Sequence, residues 1–271
     1  MKEGDSMDNR PIGVFDSGLG GLTVVKELMK VLPNEDIVYF GDTARIPYGT
    51  RSRDIVTKYS AQSIRFLLSK NIKMAVIACN TVSAGSYDSL KTMFDLPLVG
   101  VIEPGATAAV EATKNKRIGV IGTTGTIRSN AYTYSIKKKE PEISVFAQAC
   151  PLFVPIVEEG WSNTGVAYLT AERYLREMRK QQIDTLVLGC THYPLLEKTI
   201  SSVMGSGVVL INPAVNTARR VSELLSEMQG LNDKGGSISY YVSDFGQGFQ
   251  KIGSHFMNEE ITAECIDIEK Y

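Results

Sequence analysis

The feature that most constrains this chain is an internal repeat of about 100 residues, longer than a solenoid unit. Residues 12–18 (IGVFDSG) match residues 118–124 (IGVIGTT) at a spacing of 106, and the segments IVYF and ISVF keep the same spacing. Residues 72–81 (IKMAVIACNT) match residues 183–192 (IDTLVLGCTH) at a spacing of 111. Any βα unit has Ile- and Val-rich strands, so chance similarity is the alternative. Three matches in one order favour a duplicated domain.

Short apolar runs alternate with longer amphipathic stretches, which is typical of parallel sheets covered by helices. We therefore predict an α/β fold with two similar parallel-sheet domains, related by internal pseudo-symmetry, and an active site in the crevice between them. The tail contains a predicted helix at Ala218–Met228 and a strand at Ile238–Val242, and it is expected to return to the first half. The predicted first domain is residues 1–98 plus 213–271, and the second is 99–212. The predicted first-half strands are Pro11–Phe15, Asp36–Phe40, Met74–Ala78 and Leu98–Ile102.

Charge and apolar patterning exclude several classes of protein. The net charge is −1, from 29 basic and 30 acidic residues, so nucleic acid is not an expected partner. No apolar run of about 18 residues is present to span a bilayer. The segment Met1–Arg10 is polar and lacks the apolar stretch of a signal peptide, so we expect a cytoplasmic protein that does not bind membranes. The chain has two histidines and four widely spaced cysteines, and no metal site is predicted.

Two cysteines stand where a predicted strand ends, in the segments ACNT and GCTH. Ligands of parallel sheets bind at the carboxyl ends of strands, so Cys79 and Cys190 are expected to be exposed to the crevice from opposite sides. Two such thiols suit the inversion of a stereocentre, in which a thiolate removes a proton from one face and a thiol returns one to the other. Asp16 is placed to assist Cys79, and His192 to assist Cys190.

The alternative for each cysteine is a small buried hydrophobe. The polar residues that follow, Asn80, Thr81, Thr191 and His192, count against it. Cys150 and Cys265 have no such setting, and we predict both to be structural.

A glycine-rich turn, DSGLGG at residues 16–21, joins the first strand to a helix. Its backbone N–H groups could face an anion, but it lacks the spacing of dinucleotide and phosphate loops, and Asp16 would repel phosphate. A ligand with carboxylate or ammonium groups fits better, and a plain tight turn is the alternative. The TTGT segment that begins at Thr123 holds the matching position in the second half, where the alternatives are carboxylate binding and helix capping.

These motifs together closely resemble glutamate racemases, over about residues 11–225. The matching segments are DSGLGG (16–21), PYG (47–49), ACNT (78–81), VIEPGA (101–106) and GCTHYP (189–194). The pair formed by CNT and GCTHYP is highly specific. Ile46 stands where many relatives have cysteine, and Leu19 replaces a common valine.

The resemblance implies a racemase that needs no pyridoxal phosphate, other cofactor or metal. Cys79 would deprotonate D-glutamate and Cys190 would deprotonate L-glutamate, with Asp16, His192 and Glu158 assisting. It also implies a homodimer that supplies D-glutamate for peptidoglycan biosynthesis. The implied substrate-binding residues are Asp16, Ser17, Tyr48, Gly49, Asn80, Thr81, Thr123, Thr191 and His192.

Two other functions remain open at this point. The first is an aspartate racemase or a related isomerase, which would share the fold and the cysteine pair. The second is a non-enzymatic binding protein with a racemase fold, because fold does not imply function.

Overall fold

The computed structural model describes residues 8–245, 249–257 and 259–271. Within them, two sheets form, and every strand pairs in parallel with its neighbours. The first sheet has the order β10-β9-β2-β1-β3-β4 and the second β6-β5-β7-β8. The strands of the first sheet are β1 (Ile12–Asp16), β2 (Ile37–Gly41), β3 (Met74–Ile77), β4 (Leu98–Gly100), β9 (Ile238–Val242) and β10 (Ala263–Cys265). The strands of the second are β5 (Arg117–Gly122), β6 (Ser144–Ala149), β7 (Thr185–Gly189) and β8 (Val209–Ile211).

The order β2-β1-β3-β4 in the first sheet is the order β6-β5-β7-β8 in the second. The three matched segments of the sequence lie on equivalent strands of the two sheets, so the predicted fold class of two similar parallel α/β domains is confirmed. The tail returns to the first sheet as expected, because β9 pairs with β2.

Helices connect and cover the strands. The helices are α1 (Leu22–Val31), α2 (Arg53–Ser69), α3 (Asn80–Gly85), α4 (Tyr87–Met93), α5 (Ile102–Ala112), α6 (Thr124–Arg128), α7 (Ala131–Lys139), α8 (Phe153–Glu158), α9 (Gly165–Lys180), α10 (Glu197–Met204), α11 (Pro213–Glu227) and α12 (Phe249–Met257). Short 3₁₀ helices span Thr43–Arg45, Tyr48–Thr50, Tyr193–Leu196 and Ile268–Lys270. Side chains cap the starts of several helices: Ser52 accepts from the Ile55 N–H, and Thr164 from the Ala167 N–H.

Two predicted boundaries are wrong by two residues or more. The strand predicted at Leu98–Ile102 ends at Gly100, and α5 begins at Ile102 because Pro104 fits the first turn of a helix. The helix predicted at Ala218–Met228 begins at Pro213, where Asn212 caps it by accepting from the Ala214 N–H.

The division into residues 1–98 plus 213–271 and 99–212 stays a prediction. We propose one adjustment to it, because β4 belongs to the first sheet through Gly100. Helix α11 packs against both α1 and α5, so it joins the two domains along one side.

Candidate active site

Cys79 lies in the corner between β3 and α3. Its Sγ is 3.4 Å from the Oγ of Ser17, which follows the neighbouring strand β1. Cys79 is only 5% exposed, so the prediction that it is exposed to the crevice and not buried is wrong. Burial raises the pKa of the Cys79 thiol to about 12, the Asp16 carboxylate acts in the same direction, and the Ser17 hydrogen bond opposes both. Cys79 is therefore a protonated thiol at neutral pH.

Cys190 occupies the equivalent corner after β7, and it is 6% exposed. Its Sγ lies 4.0 Å from Nδ1 of His192, whose Nε2 lies 3.1 Å from Oε1 of Glu158. Burial lowers the pKa of His192, but its contacts with Cys190 and Glu158 outweigh burial and raise that pKa to about 10. The imidazole is thus charged at neutral pH, and it lies where it can stabilise a negative charge on the Cys190 sulfur.

Asp16 ends β1 and is 1% exposed. Its Oδ2 accepts a hydrogen bond of 2.9 Å from the Gly18 N–H, while Oδ1 has no partner among the described residues. Burial raises the pKa of this carboxyl, and the charge of His192 opposes the shift. A buried carboxylate oxygen without a partner can accept a hydrogen bond from a ligand ammonium group.

Two sets of contacts close one domain on the other. In the first, the Thr23 hydroxyl is shared between the Gly20 carbonyl of its own domain at 2.8 Å and the Thr191 carbonyl of the other domain at 3.1 Å. In the second, the hydroxyl oxygens of Thr81 and Thr123 lie 2.9 Å apart. Gly49 packs beside them, and a Cβ atom there would lie 2.9 Å from the Cβ of Thr123. These contacts bring backbone and side-chain atoms of the two domains directly together.

The Tyr48 hydroxyl donates to Oδ2 of Asp42, which is fully buried. Arg45 donates to the same oxygen at 2.7 Å, and Ser243 donates to Oδ1 at 2.8 Å. The Tyr48 side chain is therefore held within the first domain, and its neighbour Gly49 faces the second. Sequence reasoning missed Asp42, whose only signal is its position just after β2.

Asn80, at the start of α3, accepts a hydrogen bond of 2.7 Å from the hydroxyl of Tyr132, at the start of α7. This hydrogen bond joins the two domains at the residue that follows Cys79. Sequence reasoning missed Tyr132 as well, since no motif marks it.

The remaining cysteines differ in their surroundings. Cys150 is buried, and burial together with negative charge at the nearby Cys190 raises the pKa of its thiol. Cys265 is exposed on β10. Among the described residues, no group of three or more His, Cys, Asp or Glu side chains has the spacing of a metal site. Within the same ranges, no helix combines the length and the apolar character needed to cross a membrane.

The two thiols lie in different electrostatic environments. Cys79 carries a proton, and Cys190 lies beside a charged imidazole that can balance a thiolate. Each sulfur belongs to a different domain, and the polar residues predicted around them lie at strand ends, in the loops that follow and in the first turns of helices. Such a site can remove a proton from one face of a small ligand and deliver one to the other.

Comparison with known proteins gives a consistent result. The family model for Asp/Glu/hydantoin racemase matches residues 13–221. A glutamate racemase of Geobacter metallireducens is 50% identical over 254 residues, which is 93% of this chain and 94% of that protein. Glutamate racemase 2 of Caldanaerobacter subterraneus is 46% identical, over 98% of this chain and 100% of that protein.

The fold comparison agrees with the sequence comparison. The crystal structure of a glutamate racemase from Francisella tularensis in complex with D-glutamate superposes with a TM-score of 0.92 at 41% sequence identity. That match covers 98% of this chain and 100% of the other.

Proposed function

This chain belongs to the Asp/Glu/hydantoin racemase family, among the glutamate racemases, and we propose that it interconverts L- and D-glutamate by means of two cysteine thiols. The family membership confirms the resemblance predicted from the motifs. The observation that carries the proposed mechanism is the placement of Cys79 and Cys190 at equivalent corners of two facing domains, each beside a different polar partner.

In the L-to-D direction, the Cys190 thiolate takes the α-proton of L-glutamate and becomes a thiol. The bond electrons remain on the α-carbon as a planar carbanion, and the Cys79 thiol gives its proton to the opposite face. Cys79 is left as the thiolate, so the D-to-L direction runs by the same steps in reverse. The charged His192 stabilises the starting thiolate of Cys190, and Glu158 keeps His192 charged.

The carbanion forms beside a carboxylate, so donors must balance the additional negative charge. We propose that backbone N–H groups near Ser17, Thr81, Thr123 and Thr191 bind the two carboxylates of glutamate. Asp16, with its free Oδ1, would accept from the ammonium group. The remaining proposed substrate-binding residues are Tyr48, Gly49, Asn80 and His192, with Tyr48 acting by fixing the position of Gly49.

We further propose that the reaction requires neither pyridoxal phosphate nor metal, because the two thiols supply both proton transfers. D-Glutamate made in this way would enter peptidoglycan biosynthesis in the cytoplasm. A homodimer is proposed from the family resemblance. A role with nucleic acid is not proposed, given the balanced charge of the chain.

The test is to incubate the protein, without added cofactor, with L-glutamate and separately with L-aspartate in deuterated water. Circular dichroism follows the loss of optical activity, and mass spectrometry follows deuterium at the α-carbon. Decay with glutamate, accompanied by one deuterium per turnover, supports the proposal. Loss of optical activity with aspartate alone would make aspartate the substrate in place of glutamate. No change with either amino acid, from folded protein with free thiols, would favour a binding protein.

A further inference from the structure

Tyr132 lies between the two cysteine corners. It belongs to the second domain and is 2% exposed. Its hydroxyl reaches the first domain, where it donates to Oδ1 of Asn80 at 2.7 Å. Asn80 directly follows Cys79, so this hydrogen bond ends one residue from a proposed catalytic sulfur.

The ring of Tyr132 is held against the other corner. A Cβ atom at Gly189 would lie 3.1 Å from Cε2 of the ring, and a Cβ atom at Gly105 would lie 3.2 Å from Cε1. Gly189 directly precedes Cys190. The ring therefore packs closely on two residues without side chains, one of them adjacent to the second proposed catalytic sulfur.

The direction of the hydrogen bond fixes the orientation of the Asn80 amide. Burial raises the pKa of the Tyr132 hydroxyl, and negative charge at Cys190 adds to this, so the hydroxyl stays protonated and donates. Oδ1 of Asn80 is thus occupied on the Tyr132 side. No described residue accepts a hydrogen bond from Nδ2 of Asn80. The two N–H groups of the amide are therefore available to a ligand.

We propose that Tyr132 is a positioning residue for the racemase reaction, which holds the Asn80 amide with its N–H groups toward the substrate and links the Cys79 corner to the Cys190 corner. The inference rests on the proposed function. Tyr132 acts through Asn80 and does not touch the reacting atoms. If Tyr132 acts through Asn80, removal of the Tyr132 hydroxyl should lower kcat/KM only when the Asn80 side chain is present.

The experiment is a double-mutant cycle with Tyr132→Phe, Asn80→Ala and the double variant, with kcat and KM measured for L- and D-glutamate. Tyr132→Phe keeps the ring and removes only the donor. Tyr134→Phe, at a 70% exposed tyrosine two residues further along α7, is the matched control. We expect Tyr132→Phe to lower kcat/KM about 10-fold, as for one buried hydrogen bond, with a rise in KM for both enantiomers. In the Asn80→Ala background, the same change should cost less than about 2-fold.

Additive effects of the two substitutions, or a wild-type KM for Tyr132→Phe, would overturn the proposal. Asn80→Asp gives a second test that does not require the Tyr132 variant to fold, because it keeps the acceptor for Tyr132 and replaces the N–H donors with an oxygen. It should raise KM as much as Asn80→Ala, and an unchanged KM would contradict the proposed amide orientation.

The wild-type rate in the same assay tests the proposed function separately. If the wild type binds D-glutamate without racemising it, the proposed function fails. The double-mutant cycle then compares the dissociation constants of D-glutamate for the four proteins. A wild type that neither binds nor racemises glutamate would overturn both.

Discussion

Gly20 lies so close to Thr191 that no side chain fits between them: a Cβ atom at position 20 would overlap Oγ1 of Thr191 and lie 2.5 Å from Nδ1 of His192. The two residues belong to different domains. The absence of a side chain at position 20 therefore allows the glycine-rich turn of the first domain to reach the Cys190 corner of the second.

The first prediction concerns this contact. Gly20→Ala should lower kcat/KM at least about 10-fold, because the added methyl group must displace His192 or separate the domains, and a small misplacement costs heavily in catalysis. Steady-state kinetics checks it. Gly165→Ala is the control, since a Cβ atom there meets nothing within 4 Å, and its kinetics should be those of the wild type. Equal activity of the two variants would show that the close contact is irrelevant to the site.

The second prediction concerns pH. The pKa of His192 lies near 10, above its ordinary value of 6.5, so the imidazolium is present below that pH and is lost as the pH rises through it. Glu158→Gln removes one cause that raises this pKa. The alkaline limb of the kcat/KM profile for L-glutamate should therefore move to lower pH, with a several-fold loss at pH 9 relative to pH 7.

Glu159→Gln is the control for the pH prediction, because Glu159 is the adjacent residue and is exposed. Its pH profile should match the wild type. An identical alkaline limb in the Glu158→Gln protein would mean that Glu158 does not govern the ionisation of His192.

The third prediction concerns stability at the opposite end of the first sheet. Lys73 and Glu35 form a buried ion pair of 2.6 Å, and Lys73 also donates to the carbonyls of Asp8 and Gly230. Lys73→Met leaves the Glu35 charge buried without its partner, so the free energy of unfolding should fall by about 3–5 kcal/mol. Urea denaturation measures this loss.

Lys180→Met removes an exposed ion pair with Glu177 and is the control, for which no change beyond experimental error is expected. A Lys73→Met protein as stable as the Lys180→Met protein would refute the stabilising role of the buried pair. Racemase activity of the folded Lys73→Met fraction should be that of the wild type, since Lys73 precedes β3 and Cys79 follows it.

The architecture could be predicted from sequence because it depends on local patterns that occur twice. Each matched segment contains strand residues, and parallel strands place their carboxyl ends at one edge, so Cys79 and Cys190 could be assigned to equivalent strand ends. The predicted start of α11 at Ala218 is too late, because the helix begins at the Asn212 cap and Pro213, ahead of its apolar pattern.

Contacts between residues distant in sequence could not be predicted in this way. The hydrogen bond from Tyr132 to Asn80 spans 52 positions, and the one from Ser243 to Asp42 spans 201. In both pairs, no local sequence motif indicates which residue is the hydrogen-bond partner. The close approach of the two domains at Gly20 and Gly49 could not be predicted either, because it joins residues that are distant in sequence.

The central claim, that two thiols transfer the protons, is tested most directly by Cys79→Ser and Cys190→Ser. Racemisation of L-glutamate in deuterated water is followed by circular dichroism and α-deuteration, with Cys265→Ser, at an exposed thiol, as the control. Each of the two variants should lose about 10²- to 10⁴-fold in rate, the usual contribution of a general acid or base, while the control keeps the wild-type rate. A Cys79→Ser or Cys190→Ser protein that racemises glutamate at the wild-type rate would contradict the two-thiol mechanism.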